Sequence, residues 1–320
     1  MPGTRTTHPR FTPSEGSVAA MRPTEPVRAA SVTELPQPLR RGTADGLPET
    51  LGDLHRELLP LDDDGRPLHH QKVQALHAGL MGSIHSWELV TAVDGPGTRM
   101  TLFLSGCPLQ CQYCHNPDTM QLKNGTLQSV EEVLKRVMRY RKIFQATGGG
   151  LTISGGEPLF QHKFVRRILR GAKEMGVHTA IDTSGFLGRV ADDELLADVD
   201  LVLLDVKSGD EATYRETTGR ALAPTLAFGD RLAEMGKPVW IRFVLVPGLT
   251  DAPENVQAVA EIVARWGSVQ RVEVLPFHNM GEDKWNTLGL NYSLKGVQPP
   301  SLESTEAARE TFRAKGLTVY

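Results

Sequence analysis

Short β-branched runs and amphipathic stretches of helical period take turns from residue 81 onward. Successive β-α units read this way, and few architectures accommodate them. Six runs read as strands, at 100–104, 151–154, 178–182, 201–205, 239–246 and 271–275. Between the first two lies a helix whose Val130, Val133, Leu134, Val137 and Met138 share one face, with Ser129 and Glu132 spaced as a capping box. The next helix buries Phe164, Val165, Ile168, Leu169 and Ala172 and stops at Gly176. A third covers 251–266, with Pro253 near its start and Gly267 after it, and shorter helices fit at 192–197, 224–235 and 301–314. Strands of this continuous kind are buried on both faces, so the sheet is expected to be parallel and covered by helices. The class is α/β. Six units fall short of the eight that close a full barrel, which leaves an open partial barrel or a doubly wound sheet.

The first 80 residues are different in kind. They hold 10 of the 21 prolines, 5 of the 10 histidines and one aromatic residue, Phe11. Such a segment cannot bury enough apolar surface to offset its ordering entropy, so 1–80 reads as a flexible, disordered extension and 81–320 as the folded domain. His69, His70 and His77 then read as solvated side chains, and Asp62, Asp63, Asp64 and Gly65 lack the remaining ligands of a calcium loop. Met81 stands where globular composition begins, so the extension reads as a start-site artefact before it reads as a transit peptide, which would avoid acidic residues. A net charge of -3 leaves no basic excess for a dedicated nucleic-acid binder. No stretch reaches the roughly 18 to 20 apolar residues of a membrane helix, and no secretory signal is seen, so a soluble cytoplasmic protein is expected.

The only three cysteines, Cys107, Cys111 and Cys114, fall within eight residues. An odd, crowded set is no disulfide framework; thiols placed this way are metal ligands or redox groups. The loop follows directly on the first strand, and three thiolates on it can wrap one centre. A structural zinc would need a fourth ligand, and the adjacent His115 is poorly placed to point at the same ion. A cubane iron-sulfur cluster held by three cysteines would leave one iron open to a substrate or cofactor.

Other polar residues collect at the same rim. Ser154-Gly155-Gly156-Glu157-Pro158 follows the second strand, Asp182 closes the third, and Asp205 closes the fourth with Lys207 on the same face. Each taken alone suits an ordinary turn or a surface ion pair. Together with the cysteine loop they lie at carboxyl ends of parallel strands, where barrel active sites are built.

The C-x3-C-x2-C spacing, with Tyr113 before the third cysteine and the Gly-Gly-Glu turn downstream, resembles the radical S-adenosylmethionine (SAM) family. Over about 81–320 it is similar to one branch, the activating enzymes of pyruvate formate-lyase. The stretches that carry the likeness are Val93 to Arg99 (VDGPGTR), Tyr113-Cys-His-Asn-Pro117, Gly148 to Gly150 with Gly155 to Glu157, Asp182-Thr-Ser-Gly-Phe186, Leu204-Asp-Val-Lys207, Val239-Trp-Ile-Arg242, Val246-Pro-Gly248 and Leu275-Pro-Phe-His278 followed by Lys284-Trp285. The resemblance implies a partial (β/α)6 barrel, with Cys107, Cys111 and Cys114 holding a [4Fe-4S] cluster. Tyr113, Cys114 and His115 would line the SAM pocket, with Gly155, Gly156 and Glu157 at its amino end. Asp205, Val206, Lys207 and His278 would hold its carboxylate and ribose. Asp182, Thr183, Asp205 and the Leu203 carbonyl would hold a monovalent cation, and Asp94, Gly95 and Arg242 would face the protein substrate.

The implied reaction is reductive cleavage of SAM to a 5′-deoxyadenosyl radical, which takes a hydrogen atom from a glycine of pyruvate formate-lyase under anaerobic conditions. No acid or base is required, and flavodoxin or ferredoxin would supply the electron. Ser184 stands where the family commonly has Asn, the interval from Asp182 to Asp205 is slightly short, and 1–80 has no family counterpart. Activases of other glycyl radical enzymes are the nearest alternative, but several carry a cysteine-rich insert where only about 40 residues separate Cys114 from Glu157 here. The activase of anaerobic ribonucleotide reductase is much shorter. From another class, a zinc-stabilised binding module would use Cys107, Cys111, Cys114 and His115.

Overall fold

The computed structural model describes residues 69–91 and 93–320. All six expected strands form: β2 (Arg99–Leu104), β4 (Gly150–Gly155), β5 (His178–Thr183), β6 (Leu201–Asp205), β7 (Val239–Leu245) and β8 (Val269–Pro276). They run parallel and in sequence order. A doubly wound sheet would reverse direction partway; this one never does, and its two ends do not meet. The architecture is therefore an open, partial barrel.

Two strands depart from the purely parallel expectation. β1 (Met81–Thr91) pairs antiparallel with β2 on one side and with β3 (Thr126–Ser129) on the other, extending the sheet to eight strands. The buried positions at the start of β1 are Gly82, Ser83 and Ile84, three in a row with only Ile84 large and apolar, so the alternation that marks a strand is missing. At the opposite edge Val319 bridges to Val272, so β8 is partly covered as well.

The helices are α1 (His69–Ala78), α2 (Val130–Thr147), α3 (His162–Glu174), α4 (Asp193–Ala197), α5 (Glu211–Thr218), α6 (Ala223–Glu234), α7 (Pro253–Ala264), α8 (Glu282–Thr287) and α9 (Leu302–Arg313). In α2 the Ser129 hydroxyl accepts from Glu132 N at 3.2 Å while Ser129 N donates to the Glu132 carboxylate at 2.7 Å, completing the capping box. Helix α7 begins at Pro253, not 251, because proline suits the first helical turn, where its missing N–H has no intrahelical partner.

Helix α1 corrects the boundary of the extension. It lies inside 1–80, yet Ala75 is buried, Leu80 N donates to Ala75 O at 2.8 Å, and Lys163 Nζ donates to His77 O at 3.0 Å. Packing of α1 onto β1 and α3 offsets an ordering cost that composition alone left unbalanced. His77 is exposed, as expected of a solvated side chain. The expectations for 1–68, including Asp62 to Asp64, and for the His69 and His70 side chains lie outside the described residues.

Alternation along the strands sorts the chemistry. Met100, Leu102, Leu151, Ile153, Ile181, Val202, Leu204, Ile241 and Phe243 join α2, α3 and α7 in the main core. The other face carries Thr101, Thr152, Ser154, Asp182, Asp205, Arg242 and Glu273. Register sets Asp205 opposite Arg242 and Arg242 opposite Glu273. No helix among the described residues is long and apolar enough to cross a membrane.

Candidate active site

The cysteine loop leaves β2 and is tied down along its length. Gly106 N and Cys107 N donate to Thr119 O and Met120 O at 2.6 and 3.0 Å, and Gln110 N and Gln112 N donate to Thr218 O and Thr217 O, both at 2.9 Å. Trp285 Nε1 donates to Cys114 O at 2.9 Å from the far side. So held, Cys107, Cys111 and Cys114 are free thiols lining one cavity of about 520 Å³ at the carboxyl ends of the strands. Burial pushes all three thiols up, Cys114 to about 12, with Lys207 opposing the shift at Cys111. Buried thiols become thiolates when a metal centre compensates their charge, so the donor set suits an iron-sulfur cluster.

A lone zinc fits less well. Its fourth ligand, His115, stacks on His278 with ring centroids 4.0 Å apart, and its Nε2 sits 3.1 Å from His278 O. Burial, with His278 beside it, holds the His115 imidazole below its ordinary pKa. No three His, Cys, Asp or Glu groups among the described residues are gathered for a single metal ion.

Gly155 and Gly156 line the cavity where β4 meets the cysteine loop. A Cβ on Gly155, at φ +111°, would stand 2.2 Å from Leu104 N, and one on Gly156 would stand 2.6 Å from Gly106 O. Only glycine lets the two segments lie this close. Tyr113, Cys114, His115, Asp182, Asp205, Lys207, Arg242, His278 and Asp94 share the cavity. Tyr113 Oη, His278 Nδ1 and Asp182 Oδ1 are buried and meet no hydrogen-bond partner among the described residues. Buried polar atoms are nearly always paired, so three orphans around one cavity suit a polar ligand such as SAM.

Lys207 Nζ lies 3.0 Å from Asp205 Oδ2 and 5.5 Å from the Tyr113 ring centre. Burial disfavours its charge, but Asp205 and its other neighbours outweigh that and hold it well above the usual lysine range. Asp182 is pushed up to about 6 by burial, against the pull of Arg242. Ser154 Oγ donates to Asp182 Oδ2 at 2.7 Å, and Arg242 Nη1 reaches the same oxygen at 3.1 Å.

Five expected residues stand elsewhere. Glu157 is buried behind the wall, where its carboxylate accepts from Thr183 Oγ1 at 2.6 Å, Ser184 N at 3.0 Å, Ser184 Oγ at 2.5 Å and Leu159 N at 3.2 Å. It ties the turn after β4 to the end of β5. Burial raises its pKa, and these hydrogen bonds oppose the rise. Thr183 spends its hydroxyl on Glu157 and on Gly185 N. Val206 and Leu203 are fully buried, and Gly95 packs on the Arg99 side chain. None of the five lines the cavity. Arg242 does, but its guanidinium is already met by Asp94, Asp182 and Glu273. Sequence reasoning named Ser154 and Asn116 within motifs without giving them a role, and passed over Glu273. A carboxylate between the apolar Val272 and Val274 was the available signal for Glu273.

Residues 101–260 match the model of the radical SAM superfamily. The pyruvate formate-lyase-activating enzyme of Staphylococcus epidermidis is 42% identical over 243 residues, 73% of this chain and 95% of that one. The pyruvate formate-lyase 1-activating enzyme of Escherichia coli is 41% identical over 232 residues, 72% of this chain and 94% of that one. Among solved structures, a radical SAM methyltransferase from Sphaerobacter thermophilus shares the fold with a TM-score of 0.53 at 19% identity, covering 87% of this chain and 89% of its own. With so much of the curated relatives covered at this identity, the chain belongs to the pyruvate formate-lyase-activating enzymes of the radical SAM superfamily.

Proposed function

We propose that this chain activates pyruvate formate-lyase by generating a radical on one of that enzyme's glycines. The carrying observation is the convergence of three buried free thiols, a Gly-Gly turn and three unpartnered polar atoms on one cavity. A [4Fe-4S] cluster bound here would supply the one-electron reduction by which SAM is cleaved and a radical is made for the partner's glycine.

The chain's own residues bind, orient and shield. Cys107, Cys111 and Cys114 hold the cluster, and Trp285 fixes the carbonyl of the last. Tyr113, Gly156, His115, His278, Asp205 and Lys207 surround SAM, while Leu109, Phe103 and Val244 supply apolar wall that excludes water. Glu157 and Thr183 act behind that wall, keeping the turns after β4 and β5 in place. Asp182 Oδ1 suits a monovalent cation, joined by Asp205, while the Thr183 hydroxyl donates to Glu157 and accepts from Gly185 N, which leaves it a single lone pair to offer. Asp94, beside Gly95 and held by Arg242, faces the protein substrate. A one-electron donor of flavodoxin or ferredoxin type completes the reaction.

The deciding experiment is anaerobic reconstitution with iron, sulfide and SAM. Wild-type protein is expected to release 5′-deoxyadenosine and to raise a glycyl-radical resonance on purified pyruvate formate-lyase. Cys111→Ala is expected to do neither. Retained SAM cleavage in that variant would overturn the assignment.

A further inference from the structure

Arg242 is anchored on every edge of its guanidinium. Nη1 meets Asp182 Oδ2 at 3.1 Å, Nη2 meets Val93 O at 2.6 Å and Asp94 Oδ1 at 3.3 Å, and Nε meets Glu273 Oε2 at 3.3 Å. Contacts through Nη1 and Nη2 hold the cavity and its mouth. The Nε contact has another effect: a guanidinium pinned at Nε cannot turn about its last single bond, so the plane of its fork is set.

Glu273 is in turn held from behind. Its second oxygen pairs with Arg271 Nη2. The Arg271 guanidinium carbon stands 3.6 Å from the Trp240 ring centre and 4.6 Å from that of Tyr320, a cation between two aromatic faces. Tyr320 is fastened to β8 by its N–H to Val272 O at 2.9 Å and by Val274 N to Tyr320 O at 3.3 Å. Register explains the ladder: Trp240 stands opposite Arg271 and Arg242 opposite Glu273, two steps along neighbouring strands. Neither Glu273 nor Arg271 lines the cavity, so whatever they contribute passes through Arg242.

We propose that Glu273, backed by Arg271 between Trp240 and Tyr320, is a positioning residue that orients Arg242 so that the Asp94 loop is presented to the protein substrate. The proposal rests on the function given above, in which that loop faces pyruvate formate-lyase. Thr101 Oγ1 and Thr152 Oγ1 hold Asp94 from within, donating to its Oδ2 at 3.0 Å and its carbonyl at 2.6 Å, while at the mouth Val93 is 70% exposed and its carbonyl is met by Arg242 Nη2. Glu273 therefore governs how well the partner is bound; Asp182 keeps its bond from Ser154 Oγ at 2.7 Å however the Arg242 fork is turned, so thiol ligation and SAM cleavage are left alone.

The test compares Glu273→Ala, Glu273→Gln and Arg271→Lys with wild type in three measurements: affinity for purified pyruvate formate-lyase, partner-free release of 5′-deoxyadenosine, and iron content. Glu273→Ala is expected to weaken partner binding about tenfold, in KM and in direct titration, with kcat, partner-free cleavage and iron content within about twofold of wild type. Glu273→Gln keeps an acceptor for Nε and should recover most of the loss; Arg271→Lys, which keeps charge but loses the stack, should fall between. In an Arg242→Lys background the Glu273→Ala effect should vanish, because the two act in series. Partner affinity equal to wild type in Glu273→Ala overturns the proposal. So does an undiminished effect in the Arg242→Lys background, or an equal loss of iron and SAM cleavage, which would mark Glu273 as merely structural. Failure of the underlying function would show instead in the wild type, as no binding or activation of pyruvate formate-lyase at all.

Discussion

At Cys114 the backbone carbonyl accepts from Trp285 Nε1, and the indole packs on Tyr292 with ring centres 5.7 Å apart. Trp285→Phe keeps most of the packing and removes the donor, leaving a carbonyl of the ligand loop unpaired at a cost of about 1–3 kcal/mol. The expected result is a lower melting temperature and fewer irons per chain after reconstitution, read by iron assay and thermal unfolding. Asp200 provides a pH signature far from the cavity. Burial would raise its pKa, but Lys173 Nζ at 2.6 Å and Thr179 N at 2.9 Å outweigh that and lower it. A carboxylate with a lowered folded pKa stabilises the fold above its unfolded pKa and loses that contribution as pH falls through the folded one. Asp200→Asn should therefore be less stable than wild type near pH 7, with the gap closing below about pH 4 in urea titrations at each pH. Such side-chain partnerships were only partly legible. Asp205 and Lys207 could be placed on one face because they are two residues apart on one chain, whereas Lys173 and Asp200 meet across a helix and a strand.

Elements whose signals are local could be read directly. The capping box of α2 spans three residues, and the apolar stripes of α2 and α3 repeat at helical spacing, so neither needs a distant partner to be recognised. β1 and β3 carry no such stripe; each exists because an antiparallel neighbour accepts its hydrogen bonds, Met81 to Ile84 opposite Thr126 to Ser129. Helix α1 is the same case. Its sequence has little amphipathic pattern, and Ala75 and the carbonyls of His77 and Ala78 find partners only once α3 is in place. Removing 1–68 leaves every described contact intact and should preserve thermal stability and SAM cleavage. Removing 1–80 takes α1 away, exposes the surface it covers and should lower the melting temperature, as differential scanning of the two truncations would show.

Across the whole molecule, the linear strand order from β2 to β8 puts the helices and main core on one side of the sheet and the polar residues on the other. The cavity is that polar side where it opens at the carboxyl ends. Order of elements, identity of the thiol loop and the rim position of Asp182 and Asp205 all followed from the chain, since periodicity, caps and motif spacing are properties of neighbours in sequence. Folding alone decided that Glu157 turns inward to brace Ser184, that Asp182 keeps one oxygen without a partner among the described residues, and that Arg242 is shared among three carboxylates from different segments. The physical reason is range: a carboxylate's role depends on which donors lie within about 3 Å of it, and for these residues the donors come from other strands and turns.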